Sequence, residues 1–215
     1  IFPLVSQSRR LLKHGSLTEM EYTSSAHSRR KGTTRAVYLH LFNDCILLSR
    51  QRENGRFTVF DHSIAQNLVV ENIRMKPSVE AKFLFRLCLQ ENHRGQYQEF
   101  VLRASSLSQK LRWISALLPM KEDIDLTQHY NSKQVQCLKP YKAREHDELH
   151  LQKADILVLT QECSDGWEEG YRLSDGDRGW FPSSHVEVIT SRRSRLCNIE
   201  ERLRLSHKSS RSSEH

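Results

Sequence analysis

Apolar and polar residues alternate along most of the first half of the chain. Val37, Leu39 and Leu41 interleave with Tyr38 and His40, the period of a half-buried strand. Asn43-Asp44 is a turn signal, and Cys45–Ser49 reads as a second strand, so the pair predicts a hairpin. Asn54-Gly55 marks the next turn, followed by a strand at Phe57–Phe60. Leu68–Ile73, Phe83–Leu89 and Tyr97–Ala104 predict three more strands, with His93-Arg94-Gly95 as the turn between the last two. Leu11–Met20 predicts one at the front. Between them, Tyr22–Thr34 is rich in Ser, Thr, Arg and Lys and reads as a long solvated loop. The period changes over residues 105–118. Leu107, Leu111, Ile114 and Leu118 fall at i, i+4, i+7 and i+11, with Trp113 and Leu117 beside them, which predicts one apolar helix face. Ser106 is placed to cap that helix and Pro119 to stop it.

Residues 121–133 form a short polar linker, too short to let its flanks roam freely. After Thr190 the composition collapses to Arg, Ser and His. Leu196, Ile199, Leu203 and Leu205 would line one side of a brief helix, and disorder is the equal alternative. The pattern therefore predicts a mainly β domain over residues 9–120, and residues 134–190 form a separate small region between the linker and the tail. A joint over residues 1–8 precedes them and a basic tail, 191–215, follows. The start at Ile1 suggests a fragment of something larger.

At 37% hydrophobic residues the composition still supports packed cores once a polar tail is set aside. No apolar run reaches the roughly 18 residues a membrane span needs, and residues 1–5 lack the n-region and h-region of a signal peptide. The five cysteines are odd in number and widely spaced, with no CxxC pair. Reduced thiols in a cytoplasmic protein are the expectation. The net charge of +7 hides an asymmetry. Residues 1–120 carry 18 Lys+Arg against 9 Asp+Glu, residues 134–190 carry 6 against 11, and residues 191–215 carry 7 against 3. A basic body beside an acidic small domain suggests separate partners, or partners for each other.

Little in the chain points to catalysis. His146-x-Glu148-x-His150 would bring two imidazoles together only on a helix, and it lacks the pattern of a zinc protease. Asp175-Gly176-Asp177-Arg178-Gly179 reads as a tight hairpin turn, because no Glu follows at the distance that completes a calcium loop. No phosphate-binding loop, nucleophile elbow or paired acid-base carboxylates appear, so no catalytic residue, metal or cofactor is expected. Despite the basic pI, no exposed aromatics interleave the basic residues, which argues against nucleic acid.

Four blocks at the C-terminal end occur in register. They are Cys137-Leu138-Lys139-Pro140-Tyr141, Asp147-Glu148-Leu149-His150-Leu151, Asp165-Gly166-Trp167 and Gly179-Trp180-Phe181-Pro182-Ser183-Ser184. Their order and spacing resemble an SH3 domain, a small β-barrel that presents an aromatic groove to polyproline-II segments. The resemblance implies a ligand face built from Tyr141, Trp167, Trp180 and Pro182, with Glu145, Asp147 and Glu148 to pair a basic ligand residue. Lys139 and His185 stand where the family places two tyrosines, so one of its two proline slots loses its aromatic walls. Either a reduced, one-slot ligand or an intramolecular, non-PxxP contact follows.

Seven strands closed by a helix carrying Trp113 resemble a pleckstrin-homology (PH) domain: a seven-stranded sandwich with a C-terminal capping helix. Phe2–Ser8 together with Leu39-His40-Leu41-Phe42-Asn43-Asp44 resembles PH domains that follow the Dbl-homology (DH) catalytic domain of Rho-family exchange factors. PH followed by SH3 resembles the ephexin subgroup. The resemblance implies a non-catalytic regulatory or targeting module whose SH3 domain restrains or recruits an upstream DH domain and, through it, a Rho-family GTPase. A stand-alone adaptor joining membrane to a proline-rich partner is the alternative, and the residues preceding Ile1 would discriminate the two. Recruitment to the plasma membrane or cytoskeleton fits either. Lys13 fits the first position of the family's phosphoinositide clamp, with Arg29, Arg30, Lys31 and Arg35 nearby, but the paired arginines of the second strand are missing. Weak, salt-sensitive attraction to anionic lipid is the expectation.

Overall fold

The computed structural model describes residues 6–21, 33–73, 83–118 and 131–212, with side chains through Arg204. The chain divides into two compact units, Ile1–Pro119 and Met120–His215.

In the first unit the alternating segments become seven antiparallel strands. These are β1 (Leu11–Glu21), β2 (Thr33–Phe42), β3 (Cys45–Gln51), β4 (Phe57–Ile64), β5 (Leu68–Asn72), β6 (Leu84–Leu89) and β7 (Gln98–Arg103). Their order across the sheet is β4-β3-β2-β1-β7-β6-β5. One face of the alternation is the core: Val37, Leu39, Leu41, Ile46, Leu48, Phe85, Leu87 and Leu102 are all buried. Helix α1 (Leu107–Leu117) follows, and the Ser106 hydroxyl accepts the Gln109 N–H as its cap. The buried stripe of α1 is rotated from the sequence expectation. Trp113 and Leu117 are buried, whereas Leu107, Leu111 and Ile114 are half-buried and Leu118 is exposed. The reason is size, since the indole offers the largest area to remove from water and so sets which side faces the sheet. The chain enters through a pinned segment. The Arg9 guanidinium clasps the Asp44 carboxylate with Nε–Oδ1 at 2.8 Å and Nη2–Oδ2 at 2.7 Å, and the Arg10 N–H donates to Asn43 Oδ1 at 2.7 Å. The guanidinium holds the Asp44 carboxyl below its usual range.

The second unit holds β8 (Gln134–Cys137), β9 (Ile156–Glu162), β10 (Trp167–Arg172), β11 (Arg178–Pro182) and β12 (Val186–Val188), in the order β11-β10-β9-β8-β12. Its interior is Val135, Cys137, Leu149, Leu151, Leu157, Leu159 and Phe181. Gly179 is required where residues 147–149 cross β11, because a Cβ there would lie 2.8 Å from the Leu149 nitrogen.

Of the two alternatives for the tail, the helix forms over the described residues, and it is longer than expected. Helix α2 (Arg192–Ser212) runs for 21 residues. Gln134, Val158 and Tyr171 are cross-strand neighbours. They share the sheet face opposite the barrel interior, because Val158 lies between the interior residues Leu157 and Leu159. Val158, Tyr171 and Leu173 form a second buried cluster there. The buried Gln134 side chain donates to the Arg195 carbonyl and accepts from Asn198 Nδ2, each at 2.9 Å, which lays α2 across this row. Arg202 Nη1 reaches the Ser174 carbonyl at 2.9 Å, and Ile199 is fully buried. Of the other expected apolar contacts, Leu196 and Leu203 are half-buried. No helix among the described residues is long and apolar enough to cross a membrane.

Candidate functional site

The groove is assembled from three separate stretches of the second unit. Tyr141 follows β8, Trp167 opens β10, and His185 ends the turn after β11. The Tyr141 ring meets Trp167 edge to face at 6.3 Å between centroids, and His185 at 5.3 Å. Pro182 is the register partner of Trp167 and is half-buried beside it. Tyr141, Trp167, Pro182 and His185 therefore lie close together. Tyr141, however, is only 9% exposed, so the accessible aromatic surface comes chiefly from Trp167 and His185.

Trp180 departs from the expectation. It is 2% exposed and cannot serve as a ligand wall. Its backbone holds the preceding loop instead, its N–H donating to the Asp147 carbonyl at 2.9 Å and its carbonyl accepting the Leu149 N–H at 2.8 Å. Glu148 departs as well. Its Oε2 accepts the Tyr141 hydroxyl at 2.6 Å and the Arg144 N–H at 2.7 Å, with the Glu145 N–H at 3.3 Å. With three internal donors on this one oxygen, the carboxylate organises its own loop while keeping its charge. Glu145 is exposed and Asp147 half-buried.

Lys139 and His185 form one edge of the groove. The Lys139 N–H donates to the His185 carbonyl at 3.2 Å, and the His185 ring Nδ1–H donates back to the Lys139 carbonyl at 3.0 Å. Cys137 Sγ also donates to that carbonyl. The backbone is thus fixed while the Lys139 side chain stays exposed.

Glu168 carries no motif, yet it follows Trp167 directly and shares register with Phe181 and Glu162. Burial, then the Glu162 charge, pushes its carboxyl up, with Lys133 opposing. Only its position next to a landmark tryptophan could have flagged it in sequence.

Of the expected basic patch, the two described residues, Lys13 and Arg35, do not gather. Lys13 lies beside Leu41 in the β1–β2 register and Arg35 beside Glu19. Six strand positions separate them, roughly 20 Å. Antiparallel pairing puts the start of one strand beside the end of the next, so Lys13 sits at the far end from the loop it was expected to join. Its ammonium lies 5.4 Å from the centroid of the Trp113 ring. Near Arg35, Glu19 pairs with Arg50, which also donates to the Ala36 carbonyl and stacks on Phe60 at 4.3 Å. Arg29, Arg30 and Lys31 lie outside the described residues.

An assembly no motif announced crosses the outer face of the same sheet. His14, His40, Leu47 and His62 are successive cross-strand partners on β1, β2, β3 and β4. His14 bonds the Tyr38 hydroxyl at 2.7 Å, and His62 stacks on His93 at 5.0 Å. Burial, then a neighbouring imidazole, lowers the pKa of both His40 and His62.

His146 and His150 are exposed on an irregular segment rather than a helix, and no metal-binding cluster occurs among the described residues. The Asp175–Gly179 turn has Gly176 at φ +88°, and the carboxylates of Asp175 and Asp177 both bond Arg172.

Comparison with known proteins falls along the same two units. Residues 5–120 match the family described as SOS1/NGEF-like PH domain, and residues 137–187 match the variant SH3 domain. The chain is 54% identical over 201 residues to Rho guanine nucleotide exchange factor 5 of Mus musculus, covering 94% of this chain and 13% of that protein. It is 38% identical over 207 residues to Ephexin-1 of Rattus norvegicus, covering 94% and 29%. Against Rho guanine nucleotide exchange factor 26 of Homo sapiens it is 35% identical over 225 residues, covering 95% and 25%. The chain therefore spans less than a third of these curated relatives.

Proposed function

The chain belongs to the SOS1/NGEF-like PH domain family, as the PH–SH3 portion of an ephexin-type Rho exchange factor, and from that premise we propose that it regulates and targets a DH domain lying upstream in its parent. Exchange on a Rho-family GTPase belongs to that DH domain. The PH unit positions it, and the SH3 unit restrains it or recruits a partner that releases it.

The observation that carries this reading is the groove. Tyr141, Trp167, Pro182 and His185 meet at one surface with no catalytic group beside them, as befits a peptide-binding site. The entry segment adds support. A segment clasped by Arg9–Asp44 and Arg10–Asn43 would transmit the orientation of whatever precedes it, whereas a free linker would not. The SH3 unit is acidic and the PH unit basic, and tethering raises effective concentration to about millimolar, so even a weak contact between SH3 and the rest of the parent would be populated.

Nucleotide release from several Rho GTPases tests the reading with three proteins: DH–PH, DH–PH–SH3, and DH–PH–SH3 carrying Trp167→Ala. Restraint predicts the slowest exchange from the intact second protein and recovery in the third. Equal rates would leave the SH3 unit with recruitment alone. The 215-residue chain itself is expected to leave release at background, and acceleration by it would contradict the assignment of exchange to the upstream domain.

A further inference from the structure

In a unit that is otherwise acidic, one edge of the groove carries an exposed cation, Lys139. Glu148 Oε2 is held within its own loop by the Tyr141 hydroxyl and the backbone amides of Arg144 and Glu145. On the opposite edge, Lys139 is held by its N–H and its carbonyl to His185, leaving an exposed side chain on a rigid backbone. Trp167 and His185 both pack edge to face against Tyr141. Because the Lys139 backbone is bonded to His185, a ligand lying on that surface runs up to an exposed lysine at the His185 end.

We propose that this edge accepts a carboxylate. The ligand is an extended peptide whose proline or other apolar residue packs on the Trp167–His185 surface, with an Asp or Glu side chain reaching Lys139. The inference rests on the reading of the groove as a peptide site and names the chemistry that site selects. Exposed ion pairs are individually modest, so the effect is one of selection among peptides more than of raw affinity. It is also screened by salt.

Three proline-rich ten-residue peptides, identical except for Glu, Gln or Arg at one position beside the central proline, test this on the full 215-residue chain. That position is scanned along the peptide, and binding is followed by fluorescence polarisation. At the best position the Glu peptide is expected to bind about threefold tighter than Gln and Gln about threefold tighter than Arg at low salt, with the order flattened in about 1 M salt. Lys139→Met should abolish the preference and Lys139→Glu should invert it. Position 139 is exposed, and an unchanged thermal unfolding curve verifies that either variant is folded. Preference for Arg in the wild-type chain overturns the proposal, as does an unchanged order in Lys139→Glu. If none of the peptides binds, the peptide-site reading falls and the proposal with it; binding without charge preference overturns the proposal alone.

Discussion

Both units are antiparallel sheets sealed by a helix, but the helix does different work in each. In the PH unit α1 supplies part of the core, since Trp113 and Leu117 belong to the same buried cluster as Leu39, Ile46 and Phe85. In the SH3 unit the barrel already has an interior, and α2 covers an outer face that would otherwise leave Val158, Tyr171 and Leu173 exposed. A helix that completes a core is called for by the strands before it. A helix that covers an outer face depends on apolar residues scattered among polar ones, and neither partner announces the other. Candidate sites differ likewise. The SH3 unit gathers residues far apart in sequence into one groove, whereas the PH unit holds Lys13 and Arg35 at opposite ends of paired strands.

The largest test of this contrast is Trp113→Ala, expected to cost the PH unit about 3–5 kcal/mol, as aromatic truncations in cores do. The SH3 transition in thermal unfolding should not move. Ile199→Ala is the counterpart, with about 2–4 kcal/mol expected in the SH3 unit and none in the PH unit. If it instead behaves like an exposed substitution, below about 0.5 kcal/mol, α2 is not the cover described here.

Acid sharpens the comparison because the two units carry shifts of opposite consequence. His40 and His62 have lowered pKa values in the folded PH unit. The unfolded chain binds protons more readily, so the stability they contribute is present above the ordinary imidazole value and is lost as pH falls below it. His40→Gln should reduce that acid loss. Glu168 is raised in the folded SH3 unit, so its cost is absent at low pH and grows as pH rises from the ordinary carboxylate value to the folded one. Glu168→Gln should therefore stabilise at neutral pH by about 1 kcal/mol or less, given its partial solvent screening. The gain should vanish near about pH 3, where the unfolded carboxylate is also protonated. Denaturant titrations across pH read both effects, and a pH-independent gain from Glu168→Gln would mean that its cost is steric.

The smallest expected effect concerns lipid. Attraction of the PH unit to anionic vesicles should be weak, salt-sensitive and indifferent to the head group, about 1 kcal/mol for each basic residue near the surface. Lys13→Ala should change sedimentation less than Arg35→Ala, because the two do not share a site. Tight, salt-resistant selection of one phosphoinositide would show that the basic residues converge after all.

The strands of the PH unit and the capped helix behind Ser106 were legible in sequence, because local periodicity and turn chemistry are properties of neighbouring residues, and the approach of Tyr141 to Trp167 and His185 is a matter of the fold. The rest required residues distant in sequence to meet. Trp180 occupies a groove position in the motif yet is buried, while its backbone bonds Asp147 and Leu149 where residues 147–149 cross β11 at Gly179. Glu148 is an acidic loop residue until Tyr141, seven positions earlier, folds back to claim it. Lys13 and Arg35 look like parts of one basic site until antiparallel register sets them at opposite ends. The tail becomes a helix because Gln134, at the start of the barrel, bonds Arg195 and Asn198. A helix this polar gains little from its own propensity, and it is the face it covers that holds it in place.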